Sequence, residues 1–196
     1  MSTQLNEDLV DAIECGNEST VKFLLQVGAD PNTLCEEFME GSRRISVLAY
    51  AISLDLCGKA LLSIVRMLLT AGADPNLRKG LGFVPLMFAC RDGYPDAVDL
   101  LLEAGAVVDI KKDDEWTSLM LALFNGKLDI AKKLLDAGAN PYVVDKCGRT
   151  MLDKFKIERM HSHVDNSYAV NTFLKEAGID IKGNHMLVLG NYGEES

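Results

Sequence analysis

The chain has 196 residues, 48% of them apolar, and a net charge of −9. That apolar fraction can fill a packed interior, which argues against wholesale disorder, while no apolar run approaches the roughly 18 residues of a membrane helix. The acidic balance argues against nucleic acid as a partner, since such binders carry a basic footprint. Cys15, Cys35, Cys57, Cys90 and Cys147 are odd in number and form no CxxC pair, so reduced, small apolar residues are expected rather than a disulfide framework. The opening MSTQLNED lacks the basic and apolar regions of a signal peptide. A cytoplasmic protein, monomeric on its own, is the expectation.

One phrase recurs along the chain: LLQVGADPN at 24–32, LLTAGADPN at 68–76, LLEAGAVVD at 101–109, LLDAGANPY at 134–142 and LKEAGIDIK at 174–182. Its glycines Gly28, Gly72, Gly105, Gly138 and Gly178 are 44, 33, 33 and 40 residues apart. A period of 33 marks a stack of repeats that share one core, here about 5–32, 33–76, 77–109, 110–142 and 143–182. Residues 1–182 are read as one domain and 183–196 as a tail.

The first repeat lacks a finger and is polar and acidic, as suits a terminal cap facing water. The second is 11 residues longer than the period. The excess is expected in a finger loop within 35–45 and between the helices within 55–63. That finger carries Phe38 and Met39 among charges, which reads either as a binding epitope or as a loop folding its own apolar residues inward.

The third and fourth repeats fit the period best. Pro85 stands at a first helical position, where its missing N–H costs nothing. Thr117 can cap the helix that follows it through its hydroxyl. Gly138 suits the left-handed residue just past a helix end, where a β-carbon is strained. Ala51, Ala89 and Ala122 fall at one frame position and let neighbouring inner helices approach. The pairs Leu68–Leu69, Leu101–Leu102 and Leu134–Leu135 are expected in the core.

The fifth repeat is stretched through 154–168, and the tail GNHMLVLGNYGEES is expected to pack over the last repeat. A partner-binding peptide and a frayed end are the alternatives. His161 and His163 with Asp165 form the one candidate metal cluster, and a solvated loop is the preferred reading. No Walker loop, GxSxG or HExxH occurs, so neither a catalytic residue, a metal nor a cofactor is assigned.

With GADPN present twice, VPLMFA at 84–89, TSLMLA at 117–122 and TMLDKF at 150–155, the chain resembles the ankyrin-repeat family. The consensus histidine is absent, with Ala49, Met87, Met120 and Asp153 in its place. The resemblance implies an all-α solenoid of about five helix–turn–helix repeats with finger loops or short hairpins. It also implies a concave face of fingers and inner helices that binds a partner protein without catalysis. On this chain that face maps to Arg78, Leu81, Phe83, Arg91 and Asp92, then Asp113, Asp114, Trp116, Phe124 and Asn125, with Phe38 and Met39 of the long finger. In the fifth repeat it begins at Lys146, Cys147 and Arg149. Phe83, Trp116 and Phe124 are read as solvent-facing anchors. The alternative for Trp116 and Phe83 is that they pack on neighbouring fingers and stiffen the stack.

The charge is uneven. Residues 1–109 hold 16 acids against 8 bases, and residues 110–182 hold 11 against 12. An acidic N-terminal portion can steer a basic partner. Small size and acidity also suit an inhibitor or immunity-type protein that neutralises a basic enzyme or toxin.

Overall fold

A computed structural model of the chain describes residues 2–37, 43–54, 56, 58–78, 82–144, 148, 150 and 167–179. Among these, α1 (Ser2–Glu14), α3 (Val47–Ser53), α5 (Pro85–Asp92) and α7 (Ser118–Phe124) form an inner row. Behind them lie α2 (Glu18–Gln26), α4 (Gly58–Thr70), α6 (Pro95–Glu103) and α8 (Leu128–Asp136). The last described helix is α9 (Ser167–Glu176). One antiparallel pair, β1 (Leu34–Glu37) with β2 (Arg43–Ser46), builds the second repeat's finger, with Leu34 opposite Ser46 and Glu37 opposite Arg43. Phe38 and Met39 lie outside the described residues.

Local chemistry sets the helix starts. Ser46 Oγ accepts from Ala49 N at 3.2 Å, and Thr117 Oγ1 accepts from Met120 N at 3.4 Å. Each hydroxyl satisfies a backbone donor that the first helical turn leaves free. At the corresponding site Val84 offers no side-chain cap, and Pro85 follows it. Its ring fixes φ for the helix and removes one of the donors that need a partner. Gly138 ends α8 at φ 90°, with Gly138 N donating to Leu135 O and Ala139 N to Leu134 O. Ile179 and Gly178 close α9 with the same pair of bonds, to Leu174 O and Lys175 O.

Inner helices are short and almost wholly buried. Ala51, Ala89 and Ala122 are inaccessible, and Leu86, Met87, Phe88, Leu119 and Leu123 fill the spaces beside them. Leu68, Leu101 and Leu134 are fully buried on the outer helices, while Leu69, Leu102 and Leu135 pack against the same core half-buried. Each leucine removed from water contributes about 1.5–3 kcal/mol. Where the consensus places histidine, Ala49, Met87 and Met120 are buried, so packing replaces a polar contact there. Asp153 lies outside the described residues.

The expected loop within 55–63 is a helix from Gly58 onward. Helix α4 has 13 residues where α6 and α8 have 9. Lys59, Ala60, Leu61 and Leu62 are good helix formers, and burying Leu61 rewards the added turn.

The turns after the outer helices are joined by side chains. Asn32 Nδ2 donates to Gly72 O at 3.1 Å while its Oδ1 accepts from Asp74 N at 2.7 Å. Asn76 makes the same two bonds, to Gly105 O at 3.0 Å and from Val107 N at 2.8 Å. Asp109 only accepts, from Asn140 N at 3.1 and 3.2 Å. A carboxylate has no proton to give Gly138 O, so this rung of the ladder has one half.

Candidate partner-binding face

The third and fourth fingers meet over Gly82. Arg78 Nη2 donates to Asp113 Oδ1 at 2.7 Å, with half or more of each side chain exposed. A β-carbon on Gly82 would sit 2.7 Å from both atoms, and its φ of 79° favours glycine independently. Below this pair the half-buried Phe83 leans on Phe88, their centroids 5.3 Å apart. Lys112 Nζ lies 4.8 Å from the Phe83 centroid and also contacts Asp114. The lysine side chain is 12% exposed and Asp114 52%, so the acid is what this finger turns outward.

Arg91, near the end of α5, is held twice by Asp92, at 2.6 and 2.9 Å, and its guanidinium lies 4.9 Å over the Phe88 ring. These contacts hold a long side chain in one arrangement, so little of its rotamer freedom remains. Asn125 caps α7, its Nδ2 donating to Leu121 O at 2.8 Å. That bond orients the amide and leaves its oxygen as an acceptor.

Trp116 is not a solvent-facing anchor, because it is 5% exposed. It stands edge-on to Phe124, centroids 5.3 Å apart and planes at 88°, a favourable arrangement for two rings. The finger turn explains the burial. Lys112 N donates to Trp116 O and Glu115 N to Lys112 O, both at 2.9 Å, and this tight turn directs the indole inward. Phe124 and Phe83 stay half-buried. Leu81, Lys146, Cys147, Arg149, His161 and His163 lie outside the described residues. The structure thus pairs Arg78 with Asp113 across two fingers, links Phe83 to Asp114 through Lys112, and holds Arg91 with Asp92 at the end of α5.

Glu115 was missed. Its φ of 68° is left-handed, where Gly82 and Gly148 stand at the same frame position 33 residues away on each side. Its carboxylate accepts from Lys111 Nζ at 2.8 Å, and Lys111 also donates to Val144 O at 3.2 Å. Comparing the glycines of successive fingers reveals this residue from sequence. The Glu14–Tyr50 bond, which ties α1 to α3, has no such signal. Burial, reinforced by that bond, raises the Tyr50 phenol well above its usual range.

A family model of ankyrin repeats, in three copies, matches residues 48–145, and a model of a single ankyrin repeat matches residues 9–35. The chain belongs to the ankyrin-repeat family. No curated protein matches it. Ankyrin repeats are generally protein–protein interaction modules and typically non-catalytic. Among the described residues, no group of three or more His, Cys, Asp or Glu could hold a metal ion. No described helix is long and apolar enough to cross a membrane. Burial pushes the Cys90 thiol above its ordinary range, opposed by the nearby Ser118 hydroxyl, as suits a buried core cysteine.

Proposed function

We propose that this ankyrin-repeat protein binds a partner protein along the inner face between the third finger and the end of α7, without catalysis. The observation that supports this most is the pre-ordered state of the exposed groups. Arg91 is clamped by Asp92 over Phe88, and Arg78 by Asp113 over Gly82. Asp114 and Asn125 extend this polar rim, with Phe83 and Phe124 as its apolar edges and Leu81 beside them in sequence. Phe38 and Met39, on the long second finger, would widen the footprint.

Affinity capture with mass spectrometry identifies the partner, and calorimetry then tests the site. Arg91→Glu and Asn125→Arg change side chains at the ends of α5 and α7, and each should weaken binding at least ~10-fold if these are anchors. Unchanged affinity in both, with the helical signal intact, refutes this site.

A narrower form of the reading is an inhibitor of a basic enzyme or toxin. It is favoured by the outward position of Asp113 and Asp114 while Lys112 is tucked beneath them. An association rate that falls steeply with salt supports the inhibitor, and a salt-independent rate removes it.

A further inference from the structure

The outer row carries a recess of its own, away from the inner face. Where α2 packs beside α4, the two helices leave a groove of about 680 Å3. That volume falls in the range of ligand-binding clefts. Its apolar lining comes from Leu25 on α2 and Met67 on α4, both half-buried, with Ala71 just past the end of α4. Toward the start of α2, Ser63 Oγ donates to the Glu18 carboxylate and ties the helices together.

Two cations flank this lining. Lys22 precedes Gly28 by the same six residues as Arg66 precedes Gly72, so stacking sets them side by side, one on each helix. Both are exposed and both line the groove. Among the described residues, neither side chain makes an ion pair or a hydrogen bond. One repeat further on, the same position is Asp99, and there Lys133 Nζ bridges the outer helices by donating to both carboxylate oxygens, at 2.8 and 2.6 Å. Between α2 and α4 like charge faces like charge, and a carboxylate placed between the two relieves that repulsion.

We propose that the groove between α2 and α4 is a second binding site, which takes an acidic amphipathic helix of a partner protein. Apolar side chains one turn apart enter over Leu25 and Met67, and a carboxylate on the same helix settles between Lys22 and Arg66. Helix α2 has 9 residues, so the groove runs for about 13 Å, enough for two to three turns of the incoming helix. Charge selects this occupant. Residues 1–109 hold 16 acids against 8 bases, so an extended anionic surface such as a bilayer or a nucleic acid meets repulsion around the groove. A single carboxylate inside it meets two cations, while Glu18, the acid among the lining residues, is held by Ser63. The site belongs to the outer row and does not depend on which partner the inner face takes.

A displayed library of peptides of about 12 residues, roughly three helical turns, tests it. Peptides are selected on the full chain and counter-selected on the double variant Lys22→Glu, Arg66→Glu. Both side chains are exposed, so the variant should keep the parent's helical signal. The surviving peptides should carry Asp or Glu among apolar residues spaced by three or four. By fluorescence anisotropy they should bind the parent at least ~10-fold more tightly than the double variant. Lys22→Gln with Arg66→Gln, which removes the charges without adding repulsion, should weaken them at least ~3-fold. Resonance shifts on binding should fall on Leu25 and Met67. The proposal is overturned if no peptide distinguishes the parent from the double variant, or if the survivors are basic. Shifts confined to Arg91 and Asn125 overturn it by placing the peptides on the inner face. Co-sedimentation with phosphatidylserine vesicles that the double variant abolishes overturns it by assigning the two cations to a membrane.

Discussion

Ser118 sits at the first position of α7, 1% exposed, and its hydroxyl is buried without a hydrogen-bond partner of good geometry. One repeat earlier the same position is Pro85, also buried, and two repeats earlier it is Val47. Replacing Ser118 by proline should therefore stabilise the protein. Restricting the unfolded chain contributes about 0.4–1 kcal/mol where the native backbone already suits proline. It does suit it: Thr117 is extended at φ −105° and ψ 168°, as a residue before proline must be. Removing an unpaired buried hydroxyl contributes about 1–3 kcal/mol. The added ring atoms act against this, since overpacking costs about 1–3 kcal/mol, and Pro85 shows that the frame has room. The expected net gain is about 1–2 kcal/mol, or roughly 2–8 °C for a chain of this length. Urea unfolding followed by circular dichroism measures it as a higher midpoint at unchanged slope. Ser118→Ala serves as the control, retaining only the hydroxyl contribution. A lower midpoint for Ser118→Ala would mean that the hydroxyl is satisfied, by the Cys90 thiol beside it. A lower midpoint for Ser118→Pro alone would mean that the ring does not fit.

Four further outcomes follow from the same structure. Trp116→Ala should cost about 3–5 kcal/mol in the same assay, as for a buried aromatic; a loss under about 1 kcal/mol would restore the solvent-facing reading. Gly82→Ala should destabilise by about 1–2 kcal/mol through its positive φ, and the displaced Arg78–Asp113 pair should appear as a changed Arg78 side-chain resonance. Asp109→Asn should gain about 0.5–1.5 kcal/mol by completing the half-made rung, and a loss would show that the carboxylate is preferred there. At alkaline pH stability should fall. Cys90 and Tyr50, ordinarily near 9.0 and 10.0, are both raised in the folded state, the first by burial and the second by burial and Glu14. The folded chain thus keeps protons that the unfolded chain releases, so this contribution is whole below about pH 9 and lost above it. Tyr50→Phe should lose less of its urea midpoint between about pH 8 and about pH 11 than the parent does, and an identical loss counts against the assignment.

Much of the scaffold could be read from the chain because its signals are local. Glycine spacing gave the period, Thr117 and Pro85 gave the helix starts, and the alanine and leucine positions gave the core. Three features were not legible. Trp116 occupies a finger position, and frame position alone does not say whether a tight turn directs the indole inward. Gly58–Ser63 begins with glycine and lysine and so reads as a loop, yet Leu61 is buried only if the helix starts early. The charged side chains read as a solvated surface. Arg78 and Asp113 are 35 residues apart and Lys133 and Asp99 are 34 apart, and no short window shows that stacking brings them together. The division of the finger aromatics between packing and exposure follows from turn geometry, which frame position does not carry.

The most direct test of recognition by the inner face is a hydrogen-exchange footprint of the chain with its captured partner. New protection should fall on the third and fourth fingers, at 78 and 111–116, and at the ends of α5 and α7, with the outer helices α6 and α8 unchanged. A footprint confined to α6 and α8 would contradict the account.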